Sequence, residues 1–215
     1  QLQKKFDTSV PGIYCTGDLT GIPLIKLAAD SGCELLQRLE KDEQFRSDRE
    51  NRSDEGIYDL LIIGAGPSGV SASMHAQQKG WSHIVLESNR IFNTIINFPT
   101  GKPIYVTPVD QPFKSELVFS DGTKETLLEE LFKDIEGRDL PIHEGVMVKK
   151  ITKQNGYFSI ESSEDTYRAL RVIVAIGKTG NPRQLGVPGD DLPRVFTRLI
   201  EPTEFQQKNV LVVGG

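Results

Sequence analysis

The chain has 215 residues, 37% of them hydrophobic and 26% charged, enough apolar material for the core of one domain or of one domain with an appendage. A net charge of −5 with no basic stripe leaves phosphate-backbone attraction without a source, so nucleic acid is not expected as a partner. The longest apolar runs are strand-length, far below the roughly 20 residues that span a bilayer, so no membrane span or signal peptide is expected. Cys15 and Cys33 have neither CxxC spacing nor a histidine at metal-ligand spacing, and His75, His83 and His143 show no metal spacing among themselves. No metal site is expected, and a reducing cytoplasm is the default setting.

Residues 6–21, FDTSVPGIYCTGDLTG, lead into Leu24, Ile25, Leu27, Ala28, Leu35, Leu36 and Leu39, whose spacing predicts a helix over 23–39. From Glu40 to Glu55 charges of both signs crowd around Phe45, the composition of a linker or a solvated helix extension. Tyr58–Ile63 (YDLLII) is a continuous apolar run of the kind found in a central parallel strand, and it stops at a glycine. That glycine opens GAGPSG, in which Gly64, Gly66 and Gly69 flank Pro67 and Ser68. One glycine of such a motif turns the chain, one lets the backbone approach a pyrophosphate, and one allows close helix–strand packing.

The next stretch predicts a helix over Pro67–Gln78, ended by Gly80, then a strand HIVLE closing at Glu87, where a carboxylate can accept hydrogen bonds from a ribose diol. Dinucleotide binding is the reading, against a strand–turn–helix with no ligand. Thr126 and Glu129 form a capping-box pattern before an amphipathic helix. HEGVMVKKI, YFSIES and YRALRVIVAIG then predict a three-stranded meander with a turn at Asn155-Gly156. KNVLVVGG, residues 208–215, predicts another buried strand meeting glycines.

A meander interrupting a nucleotide-binding sheet, followed by RVIVAIGKTGNPRQLGVPGDD (171–191), resembles the FAD/NAD(P)-binding pyridine nucleotide-disulfide oxidoreductase superfamily in its thioredoxin-reductase-like form. Ala175, Ile176 and Gly177 stand where those proteins usually have ATG. Residues 8–18 are similar to the segment, approximately TSVPGIYAAGD, that completes the FAD site in that superfamily. Residues 88–108 resemble its bacillithiol-disulfide-reductase-like branch, which often carries Cys where Ser68 stands here, a departure from that branch's pattern.

The resemblance implies an α/β fold: a three-layer Rossmann-like FAD-binding domain with a parallel sheet and a small antiparallel meander. It implies a segmentation into a GD-motif segment (1–39), a charged linker (40–56), the FAD-binding domain (57–207) and the truncated start of an NAD(P)-binding unit (208–215). FAD is the implied cofactor and NAD(P)H the implied electron donor of the complete protein, with hydride passing to flavin N5 and on to an unknown acceptor. Gly64, Gly66 and Gly69, with Pro67 and Ser68, would hold the pyrophosphate and Glu87 the adenosine ribose. Asp18, beside Gly17, would bond the ribityl chain, and the backbone near Val148 would meet the adenine. Residues 19–30 would form a helix aimed at the flavin, Ala175 and Gly177 would return the chain to the site, and Phe98 with Asn97 and Thr100 would lie on the flavin side. No catalytic residue is assigned.

The order is permuted relative to the superfamily, in which the GD segment comes last. Either the chain is a slice of a longer protein with tandem modules, or its GD segment folds back onto its own glycine loop or exchanges with a second copy in a homodimer. Two other functional readings stand beside the enzyme: a non-catalytic FAD- or nucleotide-sensing module, and an NAD-linked dehydrogenase without flavin.

Overall fold

The computed structural model describes residues 5–21, 23–52, 56–178 and 185–213. The run Tyr58–Ile63 forms a central strand, as its lack of polar alternation predicts. In chain order the elements are β1 (Ile13–Cys15), a 3₁₀ turn (Gly17–Thr20), α1 (Ile25–Glu40), α2 (Glu43–Glu50), β2 (Tyr58–Ile63), α3 (Pro67–Gln78) and β3 (His83–Glu87). They continue with α4 (Asn93–Ile96), β4 (Pro103–Ile104), β5 (Gly122–Thr123), α5 (Lys124–Ile135), β6 (Ile142–Glu144), β7 (Val148–Lys153), β8 (Phe158–Ser162), β9 (Thr166–Val174) and a 3₁₀ turn (Pro202–Phe205).

Seven strands make one mostly parallel sheet in the order β6–β3–β2–β9–β8–β7, with β1 alongside β9, while β4 and β5 form a small antiparallel pair. β9 is long enough to serve three neighbours. Its first half pairs antiparallel with β8, its last residues pair parallel with β1 (Ile13 opposite Val172, Cys15 opposite Val174), and β2 runs parallel along its other edge. The fold is therefore the expected α/β class, and the leading segment takes its place in the sheet from the same chain.

α1 and α3 cover one face and share a core with Leu60, Ile62, Val85, Leu170 and Ile173. They approach closely because small residues meet at the crossing: a Cβ added to Gly32 would stand 2.1 Å from the Ser68 carbonyl oxygen. On the other face Leu61, Ile84, Leu86 and Val172 cluster with Phe158 and Ile160 of the meander, which supplies the third layer. Among the described residues no helix is long and apolar enough to cross a membrane.

Several expectations are corrected. Glu40–Glu55 contains a packed helix, α2, rather than only linker or a solvated extension: Asp42 caps it by accepting from the Phe45 amide at 2.9 Å, and Phe45 is fully buried edge-on against Trp81 at 5.1 Å. Its charges are anchors, since Arg49 and Arg52 pair with buried Asp59 at 3.1 and 2.9 Å, and Asp48 pairs with Arg171 at 2.6 Å. Residues 53–55 lie outside the described residues. The helix expected over 19–30 is instead a 3₁₀ turn ending at Gly21 (φ +104°), and α1 begins only after Pro23, at Ile25.

The run HEGVMVKKI divides at Gly145 (φ +77°) into β6, parallel to β3, and β7, the true first strand of the meander. The capping box lies one turn earlier than expected, with the Thr126 hydroxyl accepting from the Thr123 amide at 2.9 Å. Finally, residues 209–213 are irregular, and Leu211 is 88% exposed. A strand needs neighbours for its amides and a surface for its side chains, and no strand lies beside this run among the described residues. Gly214 and Gly215, where the second glycine motif was expected, lie outside them, as do residues 179–184 of the segment 171–191.

Two predictions follow from this packing. Phe45→Ala should lower stability by about 3–5 kcal/mol, the usual cost of emptying an aromatic core site, whereas a linker residue would change it by less than about 0.5 kcal/mol; urea unfolding measures the difference. His83 is buried and neutral, its Nδ1–H donating to the Trp81 carbonyl at 2.9 Å and its Nε2 accepting from the Ser73 hydroxyl at 2.8 Å. Burial pushes its pKa below the usual value. The unfolded chain therefore takes up this proton first as pH falls, so the contribution is complete above about pH 6.5 and declines below it. Urea midpoints at pH 7 and pH 5.5 should differ less in His83→Gln than in the wild type.

Candidate functional site

The parallel strands β1, β2, β3 and β9 end level with one another: Ile63 stands opposite both Leu86 and Val174, and Cys15 stands opposite Val174. A cleft of about 350 Å³ opens across these carboxyl ends, the place where open parallel sheets bind ligands. Gly64, Gly66, Pro67 and Ser68 line it from the glycine loop, and Glu87 from the end of β3. Gly17 and Asp18 enter after β1, Ala175 and Gly177 after β9, and Val148 from the start of β7. Of the expected residues in these segments, Gly69 alone is not in the wall. A Cβ there would lie 1.9 Å from the Gly64 carbonyl oxygen, so its task is to seat α3 against the strand–helix turn.

The two other loop glycines have separable roles. Gly64 sits at φ +101°, donates its N–H to Leu86 O at 2.8 Å, and has no room for a Cβ, which would stand 2.7 Å from Ala175 O. Gly66 is the N-cap of α3 with an ordinary φ of −76°, and an added Cβ would meet nothing of the protein within 4 Å. The fold thus demands glycine at 64 and leaves Gly66 facing open cleft. Beyond it the first amides of the twelve-residue α3 have no carbonyl within their own helix, and the helix dipole favours an anion there.

Glu87 is 8% exposed and held by backbone: Oε2 accepts from the Ala65 amide at 2.7 Å and Oε1 from the Asn89 amide at 2.8 Å. Oε1 also accepts from the Ser88 hydroxyl at 3.4 Å, and Oε2 keeps acceptor capacity. Asp18 is the opposite case. Its Oδ1 is buried and has no hydrogen-bond partner among the described residues. A buried acceptor left unpaired costs about 1–3 kcal/mol, so a donor outside the chain is the natural complement of this oxygen.

Other residues are sorted by the same geometry. Phe98 lines the cleft, with Lys102 Nζ 3.9 Å from its ring centroid, but Asn97 and Thr100 do not line it. Trp81 lies in the core with Phe45. Cys15 is half-buried outside the cleft wall, and Cys33 lies in a separate pocket, 3.7 Å from His75 Nδ1. Burial pushes both thiols up, so they are protonated at neutral pH. The wall also includes Phe92 and Asn93, which sequence reasoning missed. Phe92 is buried at φ +56°, its amide donating to Ala65 O at 2.9 Å, and no periodicity marks such a residue.

The contrast between the glycines gives a prediction. Gly64→Ala should lower the melting temperature by several degrees, because the new methyl clashes at a positive φ, while Gly66→Ala should leave it within about 1 °C of the wild type. Equal losses in the two variants would contradict the assignment of Gly66 to the cleft.

A family profile described as pyridine nucleotide-disulphide oxidoreductase matches residues 61–215. The chain is similar to bacilliredoxin reductase Bdr of Bacillus subtilis, 33% identical over 159 residues that make up 72% of this chain and 49% of that protein. It is also similar to a ferredoxin–NADP reductase of Ignicoccus hospitalis, 30% identical over 161 residues, 74% of this chain and 49% of that one. Among solved structures, bacillithiol disulfide reductase Bdr of Staphylococcus aureus superposes with a TM-score of 0.56 at 26% identity, over 67% of this chain and 45% of that chain. The chain spans about half the length of the curated relatives it matches. With a glycine loop, an acidic second-strand end and a meander returning to one parallel sheet, and with a profile match over most of its length, this chain belongs to the pyridine nucleotide-disulphide oxidoreductase family.

Proposed function

We propose that this chain is the FAD-binding module of an NAD(P)H-dependent flavoprotein oxidoreductase and that its own leading segment completes the cofactor site. The observation that carries the reading is the buried, unpartnered Oδ1 of Asp18, placed in the same cleft as the open α3 N-terminus and the fixed carboxylate of Glu87. An anion cradle, a ribose acceptor and a second acceptor in one trough match a long ligand with a diphosphate and two polyol regions better than they match a single nucleotide.

When bound, FAD supplies the hydride-accepting flavin that takes electrons from a nicotinamide and releases them to an acceptor. The chain's residues bind and orient. In this reading the amides of Ser68 and Gly69 and the bare Gly66 backbone meet the pyrophosphate, and Glu87 accepts from the adenosine ribose. Asp18 accepts from the ribityl hydroxyls, Val148 presents backbone to the adenine, and Ala175 and Gly177 form the opposite wall. None of these groups is asked to move a proton.

The two curated relatives are named for different acceptors, a bacilliredoxin and ferredoxin. Among the described residues no cysteine lines the cleft, and Ser68 occupies the loop position where the related branch often has one. Electron transfer to a separate redox partner therefore fits better than a dithiol within this cleft. Two free thiols fit a cytoplasmic setting.

The test is a point change, because removing residues 1–50 would strip Leu35, Leu36, Leu39 and Phe45 from the core. The wild-type chain should retain FAD after desalting. Asp18→Ala should weaken FAD binding about 10- to 100-fold, the worth of a hydrogen bond to a charged group, while leaving the flavin-free melting temperature unchanged or raised, since it deletes an unpaired buried oxygen. Unchanged affinity in Asp18→Ala contradicts the assignment of that carboxylate.

A further inference from the structure

The two halves of the proposed FAD site, the GD segment and the glycine loop, come from distant parts of the chain, and one side chain touches both. Ser31, on the second turn of α1, is 8% exposed. Its Oγ accepts the Gly17 amide proton at 2.9 Å and lies 3.3 Å from Ser68 Oγ. It also lies 2.6 Å from the Ala28 carbonyl oxygen. A carbonyl only accepts, so the single Ser31 proton is committed to Ala28. The Ser68 hydroxyl must then donate to Ser31, whose two lone pairs are filled by Gly17 N–H and Ser68 O–H.

This direction has consequences on both sides. Ser68 spends its hydroxyl proton inward, so its side chain is not available to an anion in the cleft and only its backbone N–H is. Gly17, at φ +72°, is fixed by a side chain rather than by the sheet ladder, and Asp18 follows it directly. The neighbourhood is tight. A Cβ on Gly17 would stand 3.0 Å from Ser68 Cβ, and one on Gly32 would strike the Ser68 carbonyl, so α1, the GD turn and the start of α3 form one contact.

We infer that Ser31 is a positioning residue that sets the Asp18 carboxylate relative to the α3 N-terminus, acting through the Gly17 amide and the Ser68 hydroxyl. Ser31 is not itself in the cleft wall, but it bonds Gly17 and Ser68, which are. The inference rests on the FAD reading of the cleft and adds a residue that the glycine motif and the GD motif do not contain.

A double-mutant cycle tests it, with FAD affinity read by flavin fluorescence and stability read separately by thermal melting. Ser31→Ala should weaken FAD binding about fivefold to tenfold in the wild-type background, the worth of one net hydrogen bond, and less than twofold in the Asp18→Ala background, where the group it positions is gone. Ser31→Thr, which keeps the hydroxyl, should recover most of the affinity. Ser31→Cys, close in volume with a weaker acceptor, carries the same expected loss if Ser31→Ala does not fold. Equal losses in both backgrounds, or a lowered melting temperature with unchanged affinity, would overturn the inference alone. A wild-type chain that binds no FAD would overturn the reading of the cleft, and this inference with it.

Discussion

Parallel pairing of β1 with β9 is the interaction on which the site depends. Only three residues of β1 take part, yet they fix where the chain emerges. The Thr16 amide donates to Val174 O at 3.1 Å, and the Ala175 amide donates to Ile63 O at 2.8 Å, so the turns after β1, β2 and β9 leave the sheet at one level. Gly17, Gly64 and Ala175 become neighbours although they are far apart in sequence. The pairing is short and cannot hold itself; Phe6 and Tyr14, both buried, anchor it in the main core.

The helices convert that level edge into a site. α3 must start close against β2 for its free amides to face the cleft, and Gly69 permits this by having no side chain above the Gly64 carbonyl. α1 must lie close to α3 for the GD turn to reach the same place, and Gly32 permits that approach over Ser68. The stability of these contacts comes from apolar burial along α1, where Leu35, Leu36 and Leu39 are fully inaccessible, and from α2, whose Phe45 closes the layer behind Trp81. The unpaired Asp18 oxygen opposes this stability. A fold optimised only for itself would not keep it.

Much of this was legible in the sequence for physical reasons. Continuous apolar runs marked β2 and β3, helical spacing marked α1, and three glycines with strand and helix context marked the loop. Eleven of the fourteen residues that the sequence placed together line one cleft, because those motifs report backbone requirements that are local. What was missed is non-local. Phe45 sits in a charged stretch whose composition resembles a linker, and only the position of Trp81 makes it a core residue. Gly145 splits an apolar run between two different neighbours, β3 and β8, which composition does not distinguish. Ser31 carries no motif, and its importance exists only after α1, the GD turn and α3 are brought together. Residues 209–213 are the reverse case, a strand-like sequence with no strand beside it among the described residues.

In the proposed reading, residues 13–20 and 64–70 of one chain form a single ligand site. Hydrogen exchange on the intact chain, with and without FAD and at two protein concentrations, addresses it directly, because amides that close around a ligand become protected together. Peptides covering both segments should gain protection when FAD is added, to the same extent at low and high protein concentration. Protection confined to residues 64–70, with 13–20 unchanged, or protection of 13–20 that appears only at high concentration, would contradict it.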